Sequence, residues 1–377
     1  MKVLLLTNMP SGHQMQFAQA MARELGVDNF RIVFHQDTSD SRTEMGWEDN
    51  FAEPFVIRYW LSEQTRQETS DWIDSADVVI QGRFPIKLVR QRIKSGKLTF
   101  AYQERYWKRR FSYGKLLFRL PRIIRNFWSV DRANYHLLAA GAYTTHDLNR
   151  IGVFRHRSWK FGYFLEPEPE LQERLSSNGL TIVWCARICA VKQPEQAIEI
   201  ATRLRDRGVK FKLKMIGDGE LRSSTEESVQ QHGLQEQFQI MGWQPSEVVA
   251  REMRQADFFL MTSHGGEGWG MVVNEAMAQG CATVVNRCVG SAPWLVQHSK
   301  TGLLYTDQQL DQLTEEITAR DSGDWEQMGE AARAYLMSTW SCSVAAQRLI
   351  QLSQTLLTED QQTARELYSD GPCSPAV

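Results

Sequence analysis

A chain of 377 residues exceeds one ordinary core and suits two domains of common size. Hydrophobic residues at 42% and charged residues at 23% sit near the averages for soluble globular proteins, which excludes disordered and fibrous classes. The net charge of −2 argues against a general nucleic-acid binder, and six cysteines with no C-x-x-C pair or zinc-finger spacing read as reduced, packed thiols.

The run Val3-Leu4-Leu5-Leu6 is closed by polar residues and lacks a small-residue cleavage site, so it reads as a first buried strand and not as a signal peptide. No apolar stretch approaches the roughly 20 residues that a membrane-spanning helix needs, and a cytoplasmic or peripheral protein is expected. After Asn8 to His13, which contains Gly12, the residues Met15, Ala18, Met21, Ala22 and Leu25 recur at helical spacing: strand, tight loop, helix. Strands follow at Phe30 to Phe34, at Ala76 to Ile80 before an amphipathic stretch to about Ile93, and at Leu98 to Tyr102. Such alternation predicts a parallel sheet covered by helices.

A cluster of proline and glutamate, Leu165 to Glu170, then Ser176 to Gly179, reads as an interdomain linker. A second α/β unit begins at once: strand Leu180 to Cys185, a helix opened by Pro194 with Ala197, Ile198, Ala201 and Leu204 on its apolar face, and strands at Phe211 to Ile216, Phe258 to Met261 and Ala282 to Val285. Ser343 to about Leu357 is a last amphipathic helix, and the tail, with Gly371-Pro372 and Ser374-Pro375, reads as loose. In open sheets of this kind ligands bind at the carboxyl ends of strands.

The most informative stretch runs from Ser263 to Gly280, between a strand and a helix. Its glycines let the backbone approach a ligand, and the amides of residues 269 to 272 would point out of a helix N-terminus, where phosphate is favoured. Glu267 in the loop and Glu275 in the helix can face one site, and carboxylates beside a phosphate become tolerable when they accept hydrogen bonds from sugar hydroxyls. A phosphorylated sugar is the ligand this implies.

Glu267-Gly268-Trp269-Gly270 followed by Glu275 resembles the E-x7-E signature of the retaining family 4 glycosyltransferases, proteins of GT-B fold. The resemblance implies that Glu267 contacts the donor sugar and supports the reacting centre, and that Glu275 holds the nucleotide ribose. Gly268, Trp269, Gly270, Met271 and Val272 fall to the donor phosphates. Val183 to Pro194 is similar to the family's strand-end clamp, with Arg187 and Lys192 neutralising the donor diphosphate as it leaves. Ile216-Gly217-Asp218-Gly219-Glu220 and Met241-Gly242-Trp243 resemble the turns beside base and ribose, which adds Gly217 and Gly242 to the donor residues, and Gly12 matches the N-terminal glycine loop.

The chain departs from the family at two places. Gly290-Ser291-Ala292-Pro293-Trp294 lacks the glutamate that relatives carry after a glycine-rich turn, and the strand ending in Gln103-Glu104-Arg105 lacks a histidine at the reacting face. Glu104 either assists the acceptor, in a catalytic role, or pairs with Arg105. His146 with Asp147 reads as a structural pair. No Asp-x-Asp, P-loop, dinucleotide fingerprint or G-x-S-x-G is present, against metal-dependent glycosyltransferase, nucleotide-hydrolase and esterase readings.

Residues 105 to 128 hold Arg105, Lys108, Arg109, Arg110, Lys115, Arg119, Arg122 and Arg125 without an acid, interleaved with aromatics, and Lys87, Arg90, Arg92, Lys94 and Lys97 precede them. A cationic and aromatic patch over residues 87–128 suits an anionic membrane surface, against two competing readings, a solvated face and an acidic soluble acceptor.

The expected architecture is therefore α/β, of GT-B type: two Rossmann-like domains facing across a cleft, 1–165 for the acceptor and 175–340 for the nucleotide sugar, a helix at 341–358 crossing back to the first domain, and a flexible tail at 359–377. The expected reaction moves a sugar with retention from a UDP- or GDP-sugar to a glycan or lipid-linked acceptor in cell-surface polysaccharide synthesis. No metal, no other cofactor and no nucleic acid take part, and the protein is cytoplasmic, working at the inner face of the membrane where the patch engages it. A nucleotide-sugar epimerase of the same architecture and an inactive partner subunit are the alternatives.

Overall fold

A computed structural model describes residues 1–38, 51–107, 113–171, 173–174 and 179–376, with backbone alone for 113–117. Lys108, Arg109, Arg110 and Phe111 of the basic stretch and Ser176 to Asn178 of the linker lie outside the described residues, as do the side chains of Tyr113 and Lys115. The chain divides into two compact units, Met1–Glu166 with Thr339–Val377, and Pro167–Ser338.

The first unit has a parallel sheet of seven described strands: β1 (Val3–Thr7), β2 (Phe30–Phe34), β3 (Val56–Arg58), β4 (Val78–Gln81), β5 (Thr99–Glu104), β6 (Tyr135–Ala140) and β7 (Ser158–Phe161), in the order β3-β2-β1-β4-β5-β6-β7. Leu5 pairs with Ile32 on one side and Ile80 on the other. Both faces of the sheet are covered by helices, so β1, β4 and β6 are buried at every position and read as continuous apolar runs instead of alternating ones. The helices are α1 (Gly12–Leu25), α2 (Glu63–Ser75), α3 (Ile86–Lys94), α4 (Tyr113–Asn126) and α5 (Thr144–Asn149). Ser11 caps α1, its side chain accepting the Gln14 N–H.

The second unit repeats the plan with six parallel strands, β8 (Leu180–Cys185), β9 (Phe211–Ile216), β10 (Phe238–Gly242), β11 (Phe258–Met261), β12 (Ala282–Asn286) and β13 (Gly302–Tyr305), ordered β10-β9-β8-β11-β12-β13. Helices α6 (Pro194–Asp206), α7 (Arg222–Gln231), α8 (Ser246–Gln255), α9 (Val272–Ala278), α10 (Ala292–Leu295), α11 (Leu310–Thr318) and α12 (Ser322–Tyr335) connect them. Its core joins Ile182 and Trp184 of β8, Leu260 of β11 and Ala197, Ile198 and Ala201 of α6. The first strand of each sheet lies between its second and fourth, so strand order reverses between β1 and β4 and again between β8 and β11. The crevice outside the carboxyl ends of such a pair is where open α/β sheets place ligands.

The chain then returns to the first unit. Helix α13 (Cys342–Thr358) packs on α1, with Gln347 Nε2 donating to Glu24 Oε1 at 2.9 Å. Its start is tied down by the Glu166 carboxylate, which accepts from the Ser343 N–H and hydroxyl, both at 3.0 Å. The tail after it is not loose. It forms α14 (Gln361–Glu366) and then lies along the outer edge of β7, with Lys160 N–H donating to Ser374 O at 2.7 Å and Cys373 N–H to Lys160 O at 2.8 Å. Cys373 and Ser374 are buried. A sheet edge is a row of unpaired backbone groups, and this edge recruits the tail to satisfy them.

Candidate functional site: the carboxyl edge of the second sheet

At the strand reversal of the second unit, the turn after β8 and the loop after β11 are stitched together. Trp184 Nε1 donates to Thr262 Oγ1 at 2.9 Å, Thr262 Oγ1 donates to Lys192 O at 2.7 Å, and His264 N–H donates to Val191 O at 3.0 Å. The turn reaches this position because Gln193 adopts left-handed backbone (φ 47°) before Pro194 starts α6. The stitching brings the Lys192 ammonium onto the Glu267 carboxylate as an ion pair, both largely shielded from solvent. Glu275 lies in the first turn of α9, and its charge is felt at Cys185 on the end of β8. Burial, and then Glu275, push the Cys185 thiol up to about 12, while Lys192 opposes them. Lys192 and the two acids thus gather at one strand end.

The glycine-rich turn is built by close backbone packing. A Cβ on Gly290 would lie 1.7 Å from Gly268 O, and Gly270 takes a φ of 88° against Met261 and Val289. Ser291 N–H donates to Trp269 O at 3.0 Å, so the Gly290 to Trp294 segment, although it lacks a glutamate, buttresses the Glu267 loop. The Trp269 side chain is 1% exposed, with Nε1 donating to Asn274 Oδ1 at 2.8 Å. It belongs to the core, which leaves only its main chain for a ligand. Among the described residues, the Met271 and Val272 amides donate to no backbone carbonyl, the usual state of a helix start.

Beside this lies the Gly217-Asp218-Gly219-Glu220 turn, pressed on the Arg187 segment. Ile188 N–H donates to Asp218 O at 2.9 Å and Leu221 N–H to Ile188 O at 3.1 Å. Gly217 (φ 135°) would put a Cβ 1.9 Å from Ala186 O. Arg187 itself is exposed; a hydrogen bond to Cys189 and the nearby Glu220 hold its guanidinium more firmly protonated. Gly217 N–H donates to Gly242 O at 2.8 Å, and the next residue, Trp243, is 54% exposed at the end of β10.

Spacing did not reveal a polar chain under the site. Asn286 Nδ2 donates to Asp307 Oδ1 at 2.6 Å, Gln196 Nε2 to the same oxygen at 3.0 Å, and Tyr305 Oη to Gln196 Oε1 at 2.8 Å. These residues fix the ends of β12 and β13 against α6. Only their strand-end positions could have hinted at it.

In the first unit, a Cβ on Gly12 would meet nothing within 4 Å among the described residues, so none of them demands glycine there. Glu104 accepts from Tyr163 Oη at 2.9 Å. Arg105 pairs with the buried Asp147 at 3.2 Å and lies over the Tyr143 ring. Asp147 also accepts the Trp107 N–H at 3.0 Å. Not all of the basic stretch is surface charge. Arg92 is buried and donates to the carbonyls of Ile73, Ala76, Asp77 and Leu98, and burial lowers its guanidinium to about 10. Arg119, Arg122 and Arg125 of α4 are exposed, together with Phe118 (90%), Ile124 (45%) and Trp128 (46%). No helix among the described residues is long and apolar enough to cross a membrane.

Residues 168–334 match the family model described as glycosyl transferases group 1. That segment is a glycosyl transferases group 1 domain. The group 1 domain accounts for nearly all of the second unit, and with it the Lys192, Glu267 and Glu275 cluster. The chain is similar to the putative colanic acid biosynthesis glycosyltransferase WcaL of Escherichia coli strain K12, 28% identical over 185 residues, which are 47% of this chain and 45% of that one. The chain spans less than half the length of the curated relatives it matches. Among solved structures, the lipopolysaccharide outer core galactosyltransferase WaaB aligns with a TM-score of 0.68 at 16% identity, over 95% of this chain and all of that one. Anabaena HepE in complex with UDP aligns with a TM-score of 0.67 at 14% identity, over 94% and 100%. The fold is therefore that of GT-B glycosyltransferase structures, two parallel-sheet α/β domains.

Proposed function

We propose that the protein transfers a sugar, with retention at the anomeric carbon, from a UDP- or GDP-sugar to a glycan or lipid-linked acceptor in cell-surface polysaccharide synthesis. The observation that carries this reading is the Lys192–Glu267 pair at the strand reversal of the group 1 domain, with Glu275 in the adjoining helix. An ammonium held at a strand end, beside helix-start amides, suits a diphosphate whose charge grows as the glycosidic bond breaks. A carboxylate accepts hydrogen bonds from sugar hydroxyls, the role taken by Glu267, and Glu275 does the same for the ribose. Arg187 supplies the second cation from the turn after β8, and Trp243 offers an exposed ring where a base can stack. The chemistry uses no metal or other cofactor in this reading. HepE has been crystallised with UDP-glucose, which favours UDP as the nucleotide.

The first unit holds the acceptor in this reading. Glu104, oriented by the Tyr163 hydroxyl, is placed to receive or position an acceptor hydroxyl, and the exposed face of α4 meets an anionic membrane surface that presents a lipid-linked acceptor. The test is calorimetry of UDP-, GDP- and ADP-sugars against wild type and Lys192→Ala. Binding of one donor that the variant loses supports the clamp and names the nucleotide. No binding of any donor by well-folded protein overturns the reading.

A further inference from the structure

The loop that carries Glu267 contains Gly265 and Gly266, whose backbone freedom would leave the carboxylate poorly placed. His264 removes that freedom with three separate groups. Its N–H donates to Val191 O at 3.0 Å, its carbonyl accepts the Glu267 N–H at 3.0 Å, and its ring Nδ1 lies 2.9 Å from the Gly266 nitrogen. The first bond ties the loop to the turn bearing Lys192, and the other two fold the loop back on itself just before the acid.

The third bond fixes the chemistry of the ring. Gly266 N–H can only donate, so Nδ1 must be an unprotonated acceptor and the ring hydrogen must sit on Nε2. We propose that His264 is a positioning residue for Glu267, acting through the Nδ1 acceptor of its neutral Nε2–H tautomer. A doubly protonated ring cannot accept from Gly266, and the loop then loses one of its three ties. The charged groups on the segments packed about the loop include Lys192 in the 190–192 turn, Glu267 itself, Glu275 on α9 and Arg287 in the segment after β12 that buttresses the loop.

The functional consequence rests on the donor-site reading above; the tautomer does not. Two measurements separate them. In 15N-histidine NMR spectra of the whole protein, the resonances missing from His264→Asn are those of His264, and they are expected to show protonated Nε2 and unprotonated Nδ1. Asparagine can place its Oδ1 where Nδ1 stands, whereas glutamine reaches only towards Nε2 and phenylalanine accepts nothing. His264→Asn is expected to bind UDP-glucose within about threefold of wild type, and His264→Gln and His264→Phe about five- to tenfold more weakly, the effect of one lost hydrogen bond. All three are expected to bind UDP at least as tightly as wild type, because UDP lacks the sugar that Glu267 meets and a looser Glu267 competes no better for Lys192. A protonated Nδ1, or an asparagine variant as weak as the phenylalanine one, overturns the proposal. If wild type binds neither UDP nor UDP-glucose, the same comparison is made with the GDP- or ADP-sugar that it does bind; if it binds none, the donor reading fails and the NMR measurement alone decides the tautomer of His264.

Discussion

Lys192 and Glu267, 75 residues apart in sequence, form an ion pair across the strand reversal of the group 1 domain. A ligand diphosphate has to compete with the Glu267 carboxylate for the same ammonium. Glu267→Gln removes the competitor and keeps the shape, so its affinity for UDP should equal or exceed that of wild type, while turnover of the nucleotide sugar falls at least a hundredfold. Lys192→Ala removes a charge-assisted contact of about 1.5–3 kcal/mol and should weaken UDP roughly 10- to 100-fold. Calorimetry with UDP and a donor-turnover assay on both variants check this. Weaker UDP binding in Glu267→Gln would show that the carboxylate does not oppose the nucleotide.

Gly217 and Gly12 look alike in sequence as glycines of strand-end loops, and the structure separates them. Gly217→Ala demands a Cβ 1.9 Å from Ala186 O at a φ of 135°, so the segment bearing Arg187 has to move. The expected cost is at least about 2 kcal/mol of stability, with loss of donor binding. Gly12→Ala meets no atom of the described residues and should leave stability within about 0.5 kcal/mol. Urea unfolding of the two variants compares them directly. Should Gly12→Ala fold normally yet lose turnover, the space at Gly12 is occupied by substrate.

How much of this was legible in the sequence follows from the physics of each feature. Strands β8 and β11 coincide with mainly apolar runs, as a parallel sheet covered on both faces favours, and β9 is marked by buried Phe211, Leu213 and Met215 alternating with Lys212 and Lys214. Short β3, and β7 with its alternating Ser158-Trp159-Lys160-Phe161, gave no such run. Glu267 and Glu275 stand out in the glycine-rich stretch between a strand and a helix, whereas Lys192 was legible only through family resemblance, since no spacing rule ties residue 192 to residue 267. Arg92 was misplaced with the surface cations although its position gave it away: it follows Val89 by three residues and precedes Ile93, on the buried stripe of α3. The tail looked loose because glycine and proline dominate it, and composition says nothing of an open sheet edge waiting at β7.

His136 of β6 is buried against Trp159, whose Nε1 donates to its Nδ1 at 3.3 Å. Burial first, and then Arg157, lower its imidazole to about 3. The unfolded chain takes up a proton near 6.5 and the folded one does not, so the stability this group contributes is complete above pH 6.5 and drains away as pH falls towards 3. Between pH 7 and pH 5 the loss is about 2 kcal/mol. His136→Asn can still accept from Trp159 at the Nδ1 position but does not titrate. It should be less stable than wild type at pH 7.5, yet lose about 2 kcal/mol less on moving to pH 5. Denaturant melts of both proteins at the two pH values measure the difference, and parallel pH dependence would contradict a buried neutral imidazole.

Phe118, Arg122 and Arg125 recur at i, i+4 and i+7 along α4, so an aromatic ring and two cations share one exposed helix face, while Ile123 and Phe127 point into the core. A folded protein gains nothing by leaving Phe118 90% exposed, and burial of such a ring contributes about 1.5–3 kcal/mol. Each arginine near an anionic bilayer adds about 1 kcal/mol. Together these terms predict sedimentation with vesicles containing anionic lipid, little with neutral ones, and release at high salt as the charges are screened. Phe118→Ser combined with Arg122→Glu should weaken the association at least tenfold and leave donor binding unchanged, because neither residue belongs to the second unit. Failure to sediment with either kind of vesicle would point instead to a solvated face or to an acidic soluble acceptor, and the same double variant, assayed with soluble acceptors, would separate those two.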